Sequence, residues 1–238
     1  MKKNPFKRIL CIVIAAVMLC SVFASTAAAA TKCACGHSPV VMISGFGATI
    51  LSEKQEDGSL KRVFPPDTKE ILKLLGVNAP DLITGIIELL AQKGTDGIEK
   101  PLRDIITSIV EPLRMNDDGT SYYDIVPILS GAKNTSLEAF TKNGQLDLVP
   151  YTGSEFLDME VIGDEIGDDH VFNFLYDWRL SHADVAAQLH DYLAEVCALT
   201  GHDKVSVYSI SQGSLLLGTY MYEYPNDNYI DRAVFDTP

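Results

Sequence analysis

The second half of the chain alternates short apolar runs with longer stretches of helical periodicity. Three runs rich in β-branched and aromatic residues predict buried strands, at residues 171–176, 205–208 and 230–235. Between them, apolar residues recur at helical spacing over 185–196 and 215–222. Ser181 and Gly201 stand where the N-cap and the C-terminal glycine of the first helix belong. This strand–helix alternation predicts right-handed crossovers and a mainly parallel sheet.

The first half contains one further strand and a long helical region. Residues 39–44 form an apolar run that ends at a Gly-Phe-Gly loop, which predicts a buried strand followed by a tight turn. Helical spacing predicts one helix from Asp81, as its N-cap, to Gln92, and another over 102–113. The rest of this region gives only a weak signal. We predict one α/β domain in which residues 51–163 form a largely helical cap insertion.

The first thirty residues have the three-part pattern of a secretory signal peptide. Four basic residues open the chain, residues 9–23 are almost all apolar, and small residues lead to Ala30. The apolar stretch is short for a membrane span. We therefore predict cleavage near Ala30, a mature chain from residue 31 onward, and a secreted or extracytoplasmic protein. The alternative is an N-terminal anchor that stays attached.

The predicted mature chain is strongly acidic. The leader contains four of the 19 basic residues and none of the 32 acidic residues, so the remainder has a net charge near −17. That charge argues against nucleic acid or an anionic membrane as an electrostatic partner. The net charge carries no information about the fold.

Three cysteines remain after the leader, and they do not predict a metal site. Cys33-Ala34-Cys35-Gly36-His37 supplies at most three ligands on an N-terminal tail and lacks the paired spacings of a zinc site. With Cys197 the count is odd, which leaves one thiol free or paired with another chain. We expect an ordinary mature N-terminus and no metal or organic cofactor.

The segment Ser209-Ile210-Ser211-Gln212-Gly213 carries the candidate chemistry. A small-x-Ser-x-Gly sequence between a strand and a helix is typical of a nucleophile elbow, which lifts the serine hydroxyl clear of the sheet. The tight turn is expected to bring Ser209 and Gly213 close together, so both must be small. The alternative is an ordinary parallel-sheet turn in which Ser211 only caps a helix.

Two backbone N–H groups are candidates for an oxyanion hole beside Ser211. Gln212 follows the serine at the start of the predicted helix, where N–H groups favour negative charge. Phe46 lies in the loop after the first strand, which is where this kind of site draws its second donor.

Four segments together resemble the lecithin:cholesterol acyltransferase family, which includes related phospholipases and acyltransferases. They are residues 39–47 (PVVMISGFG), 176–180 (YDWRL), 207–214 (VYSISQGS) and 234–238 (VFDTP). The family has a "PVVLVPG" strand and loop, a "YDWR" signature before a long helix, and a "GHSLG" elbow. Ser44, Ser209 and Ile210 depart from its usual Pro, Gly and His. No motif between residues 51 and 169 can be aligned.

The resemblance implies an α/β-hydrolase-type sheet and a set of site residues. Ser211 matches the nucleophile, and Phe46 and Gln212 match the oxyanion donors. The Asp177-Trp178-Arg179 segment matches the family's structural signature beside the site, which we interpret as an ion pair and an aromatic wedge that support it. The implied function is a secreted serine acyl hydrolase or O-acyltransferase for lipid esters, working through an acyl-enzyme. A non-lipid esterase or a catalytically dead binding protein of the same fold are the alternatives.

The sequence does not supply a complete triad. All five histidines precede Ser211, whereas this fold places the acid and then the base after the nucleophile. His190 and His202 are interpreted as solvated surface residues, and Asp227, Asp231 and Asp236 come too early for the acid. We therefore expect the chain to be a fragment that ends after the strand following the nucleophile helix, and to be inactive alone.

The apolar helices within residues 82–113 allow two interpretations. They could form a lid that makes transient contact with a lipid surface. They could instead pack as the core of an ordinary cap, which is the interpretation that the helical pattern favours.

Overall fold

A computed structural model describes residues 33–91, 94–149 and 155–237. The predicted signal peptide lies outside the described residues. The fold is mixed α/β, and its central element is a four-stranded parallel sheet. In chain order these strands are β1 (Val40–Ile43), β5 (Val171–Phe174), β6 (Val205–Ile210) and β7 (Ile230–Asp236). Their spatial order is β5-β1-β6-β7. The four predicted strands of the parallel sheet are therefore confirmed.

Helices cover both faces of this sheet. They are α3 (Leu137–Lys142), α4 (Glu155–Ile166), α5 (His182–Thr200) and α6 (Gln212–Glu223). Successive side chains of β1 point to opposite faces of the sheet, so they contribute to two different hydrophobic clusters. Val41 and Ile43 pack with α5 and α6, whereas Met42 packs with α3 and α4. The predicted ends of α5 are confirmed: the hydroxyl of Ser181 accepts from the N–H of Ala183, and Gly201 is left-handed.

The region between the first and second strands of the parallel sheet contains helices and also strands that the sequence pattern did not predict. It contains a three-stranded antiparallel sheet of order β3-β2-β4, made of β2 (Leu51–Lys54), β3 (Leu60–Phe64) and β4 (Ile125–Pro127). Strands β2 and β3 carry charged residues and β4 is only three residues long, so they lack the apolar signal of the parallel strands. Helices α3 and α4 also lie where no clear helical periodicity is visible in the sequence.

Two long helices follow β3, namely α1 (Thr68–Leu90) and α2 (Asp96–Val110). The predicted start of α1 at Asp81 is wrong: the helix begins after Asp67, whose carboxylate accepts from the N–H of Glu70 at 2.7 Å. Pro80 cannot donate the helical hydrogen bond to Gly76, yet the helix continues through it. The predicted end at Gln92 lies outside the described residues.

The α1–α2 hairpin does not pack as the core of an ordinary cap, contrary to the favoured prediction. The two helices meet closely at glycines, because a Cβ on Gly85 would lie 2.5 Å from the backbone of Gly97. Among their described residues only Gly85 and Pro101 are buried. Val77 and Leu90 are 75% and 78% exposed, and many other apolar side chains of the hairpin are also exposed. The hairpin therefore presents an apolar surface to solvent.

Within the described residues, no helix combines the length and the hydropathy that crossing a bilayer requires.

Candidate functional site

The carboxyl ends of β1, β5 and β6 meet at one edge of the sheet, and each is followed by predicted site residues. The loop at 44–48 follows β1, the segment 175–181 follows β5, and Ser211 follows β6. Because adjacent parallel strands end at the same edge, these three segments are neighbours. This edge is called the carboxyl edge below.

Ser211 sits at the corner between β6 and α6 with a strained backbone. Its φ of 51° and ψ of −122° lie in a region that non-glycine residues rarely occupy, at a cost of about 1–3 kcal/mol. A hydrogen bond from its N–H to the carbonyl oxygen of Asp236, at 3.0 Å, holds the corner to the end of β7. The side chain of Ser211 is exposed and does not cap α6. Strain of this kind is typical of functional positions.

Gly213 is required for a different reason from the one predicted. A Cβ at this position would lie 2.3 Å from the carbonyl oxygen of Ile43 and 2.8 Å from that of Ser44. The close approach is therefore to the end of β1, which passes under the first turn of α6. Only glycine fits without moving that backbone.

Ser209 and Ser214 fill the space under the corner with a small polar network. Ser209 is fully buried, and its hydroxyl donates to the carbonyl oxygen of Val234 at 2.9 Å. The hydroxyl of Ser214 donates to the carbonyl oxygen of Ser209 at 3.0 Å. These bonds tie the end of β6 to α6 and β7, so the serine at position 209 is accommodated without an unpaired hydroxyl.

The loop after β1 lies against Ser211. A side chain on Gly45 would meet the Cβ of Ser211 at 3.1 Å and its Oγ at 3.5 Å. A turn follows, in which the N–H of Ala48 donates to the carbonyl oxygen of Gly45 and Gly47 takes φ of 73°. Among the described residues, neither the N–H of Phe46 nor that of Gln212 has a hydrogen-bond partner.

Asp177 and Arg179 form a buried ion pair next to this loop. The guanidinium donates to both carboxylate oxygens, at 2.9 and 2.6 Å, and also to the hydroxyl of Ser121 at 2.9 Å. Both side chains are about 5% exposed or less. A paired, bidentate geometry is what makes such a buried charge tolerable. The pair fixes the segment that follows β5.

Trp178 packs between two aromatic rings, one from the loop after β1 and one from β3. Its ring centroid is 4.4 Å from that of Phe46 and 5.1 Å from that of Phe64. Its indole N–H donates to the carbonyl oxygen of Thr49 at 3.3 Å, and the hydroxyl of Tyr176 donates to that of Ser44 at 2.8 Å. The segment after β5 thus holds the loop that carries Phe46.

The side chain of Gln212 joins the segment after β5 to the elbow, a contact that sequence reasoning missed. Its amide donates to the carbonyl oxygen of Trp178 at 2.8 Å and lies 3.3 Å from the Nε2 of His182. No sequence signal linked His182 to the elbow, since the two are 30 residues apart. Within the described part of the chain, the Oγ of Ser211 itself has no hydrogen bond.

The remaining histidines are placed away from Ser211 or paired with other groups. The prediction that His190 is a solvated surface residue is wrong: its Nδ1 lies 2.8 Å from a carboxylate oxygen of Asp227, and its ring stacks on Tyr224. That carboxylate also accepts from the hydroxyl of Tyr220.

The opposite end of the sheet, where β1, β5 and β6 begin, is called the amino edge. It brings together cysteines and histidines that lie far apart in the sequence. Side-chain atoms of Cys33, Cys35, His170 and His202 all lie within 4.8 Å of one another. His202 was expected on the solvated surface but is partly buried in this cluster, where burial lowers its pKa. Cys197 lies in α5, and burial raises the pKa of its thiol to about 11.

A scan against models of protein families finds no matching family, and a search of curated proteins finds no match.

Proposed function

We propose that this chain carries the nucleophile and the oxyanion hole of a secreted serine acyl hydrolase or O-acyltransferase of the lecithin:cholesterol acyltransferase type, acting on lipid esters. The observation that supports it best is the strained, exposed Ser211 at a strand-to-helix corner. An ordinary helix-capping turn would not need such a conformation, and Ser211 makes no capping bond.

In the proposed reaction, the Oγ of Ser211 attacks the ester carbonyl carbon and its proton passes to a base. The carbonyl oxygen becomes an oxyanion that accepts from the N–H groups of Phe46 and Gln212. The C–O bond to the alcohol then breaks, and the alcohol leaves with the proton from the base. Water or a second alcohol next attacks the acyl-enzyme, which restores Ser211. Each oxyanion donor is worth about 10²–10³ in turnover.

The base is proposed to come from a segment that the structure does not describe. All five histidines lie within the described ranges, and none hydrogen-bonds to Ser211. Strand β7 supports this view, since Val234 and Phe235 are 50% and 41% exposed on what is an edge strand. Further chain that covers this edge would shield its apolar residues and its unpaired backbone.

A lipid ester is proposed as the substrate because of the exposed α1–α2 hairpin. Its apolar side chains form the kind of surface that meets a lipid interface. The acidic net charge disfavours anionic lipids, so a zwitterionic interface is the expected substrate surface.

The test uses the natural reading frame extended past Pro238, assayed on phosphatidylcholine vesicles and on a short soluble ester. We expect hydrolysis or transfer on vesicles, lost in Ser211→Ala and retained in the control Thr219→Ala, which removes a hydroxyl about two helical turns further along, in α6. Activity on the soluble ester alone would favour the non-lipid esterase. No activity on either, with the fold intact, would favour the binding protein. Strong hydrolysis by residues 1–238 alone, abolished by Ser211→Ala, would contradict the proposed external base.

A further inference from the structure

The amino edge of the parallel sheet gathers four metal-ligating side chains from three separate segments. Cys33 and Cys35 precede β1, His170 immediately precedes β5, and His202 precedes β6. These strands are neighbours in the sheet, so the residues before them converge just as the residues after them do. The histidines are 135 and 167 residues from Cys35, which is why local spacing did not reveal the cluster.

The distances between the ligand atoms suit a tetrahedral ion. The Nε2 of His170 is 3.8 Å from the sulfurs of both Cys33 and Cys35, and the Nε2 of His202 is 3.4 Å from the sulfur of Cys35. Zinc–sulfur and zinc–nitrogen bonds of about 2.3 and 2.0–2.1 Å place tetrahedral ligands roughly 3.3–3.8 Å apart. These three distances therefore match those between the ligands of a zinc ion, and all four ligand atoms lie within 4.8 Å of one another.

Neighbouring groups orient two of the four ligands, His170 and Cys33, toward the centre of the cluster. A carboxylate oxygen of Asp169 lies 2.9 Å from the Nδ1 of His170, which leaves Nε2 to face the sulfurs. Such a carboxylate behind a histidine is the usual outer-shell partner of a zinc ligand. The N–H of Cys35 donates to the sulfur of Cys33 at 3.4 Å, which holds that sulfur beside Cys35.

The backbone of the cluster is tied to the end of α5. The N–H of Cys33 donates to the carbonyl oxygen of Gly201, at 3.2 Å. Gly201 is the left-handed cap of α5, and it turns the chain so that His202 points back at the cysteines. The N-terminal segment is thus already docked where a metal ion would hold it.

We propose that Cys33, Cys35, His170 and His202 bind one zinc ion in a closed, structural site. Two thiolates and two imidazoles are a ligand set that selects zinc, and four protein ligands leave no position open for catalysis. The ion fastens the segment before β1 to the segments before β5 and β6. Cys35 is exposed, which gives the ion a path of entry.

The test measures metal binding by protein expressed from the full chain and kept reduced. After chelation and desalting, cobalt is added as a spectroscopic probe and zinc is then used to displace it. We expect one cobalt per chain, with a thiolate charge-transfer band and the intense visible bands of tetrahedral cobalt. Cys35→Ser and His202→Ala should each weaken binding by more than about 100-fold, since losing even an outer-shell partner costs about 10- to 100-fold.

Two matched variants separate this site from adventitious binding. His37→Ala removes an exposed histidine of the same segment, and Cys197→Ser removes the remaining free thiol of the described residues. Both should leave affinity and spectrum unchanged. Equal binding in all variants, or a wild-type protein with no tetrahedral cobalt spectrum, would overturn the proposal. So would a Cys33–Cys35 disulfide, with no bound metal, in protein isolated without reductant. The wild-type spectrum decides the question even if a variant fails to fold.

Discussion

The two edges of one sheet are built from the same three strands but are organised in different ways. At the carboxyl edge, one short segment places Ser211 in a strained corner, with two unpartnered N–H groups nearby. At the amino edge, four ligands from segments far apart in sequence meet at distances that match a metal ion. The edges are four to six residues apart along the strands, or roughly 13–20 Å. The site at the carboxyl edge is therefore encoded by a short stretch of sequence. The site at the amino edge forms only when distant segments come together in the fold.

The largest expected effect concerns the buried ion pair that supports the carboxyl edge. Arg179→Met leaves Asp177 charged, buried and unpaired, which should lower the free energy of unfolding by about 3–5 kcal/mol. Urea unfolding monitored by Trp fluorescence measures the loss. The control Arg103→Met breaks an exposed pair with Glu99 and should cost less than about 1 kcal/mol. Similar values for the two variants would show that the pair does not hold this edge.

The second effect tests the close contact beneath the elbow. Gly213→Ala places a Cβ against the backbone of β1, so one of the two segments must move, and we expect a loss of about 2–4 kcal/mol. Gly218→Ala on the same helix meets no atom within 4 Å and should stabilise by about 0.5–1 kcal/mol. Thermal unfolding of both variants makes the comparison. A stable Gly213→Ala protein would mean that β1 does not pass under α6 as described.

The third effect belongs to the amino edge. Free zinc at about 100 times its dissociation constant should stabilise the protein by about 2.7 kcal/mol, and a chelator should remove that gain. Cys35→Ser should show no dependence on zinc, because its site is incomplete. Calorimetry with and without chelator checks this. Equal responses of the two proteins would place zinc binding elsewhere.

The smallest effect isolates the strain at Ser211. Ser211→Gly relieves the backbone, whereas Ser211→Ala removes the hydroxyl but keeps the strain. Because relief of about 1–3 kcal/mol is opposed by the entropy cost of glycine, the glycine variant should be more stable than the alanine variant by about 1 kcal/mol. Denaturant unfolding resolves a difference of this size. An alanine variant as stable as the glycine variant would argue against a strained corner.

Much of the carboxyl edge could be predicted because its signals are local. The apolar runs of β5 and β6, the cap at Ser181 and the small-x-Ser-x-Gly segment each lie within a few residues of what they determine. The reason for Gly213 could not be foreseen, since it depends on the approach of β1 from 170 residues earlier. The prediction identified the required residue but not the contact that requires it.

The missed features depend on contacts rather than on pattern. The strand β2 carries charged residues and pairs with segments on both sides, so no alternation marks it. Asp81 is a suitable N-cap by residue type, which is why the pattern predicts a helix start there, whereas Asp67 provides the cap of α1. The metal ligands could not be predicted from local spacing, because Cys33 and Cys35 are completed by histidines that precede two other strands.

The most direct test of the account maps the site of covalent labelling by a fluorophosphonate on protein from the reading frame extended past Pro238. The account predicts a single adduct on the peptide that contains Ser211, absent from Ser211→Ala and still present after zinc is removed from folded protein. A folded protein that remains unlabelled, or one labelled at another serine, would contradict it.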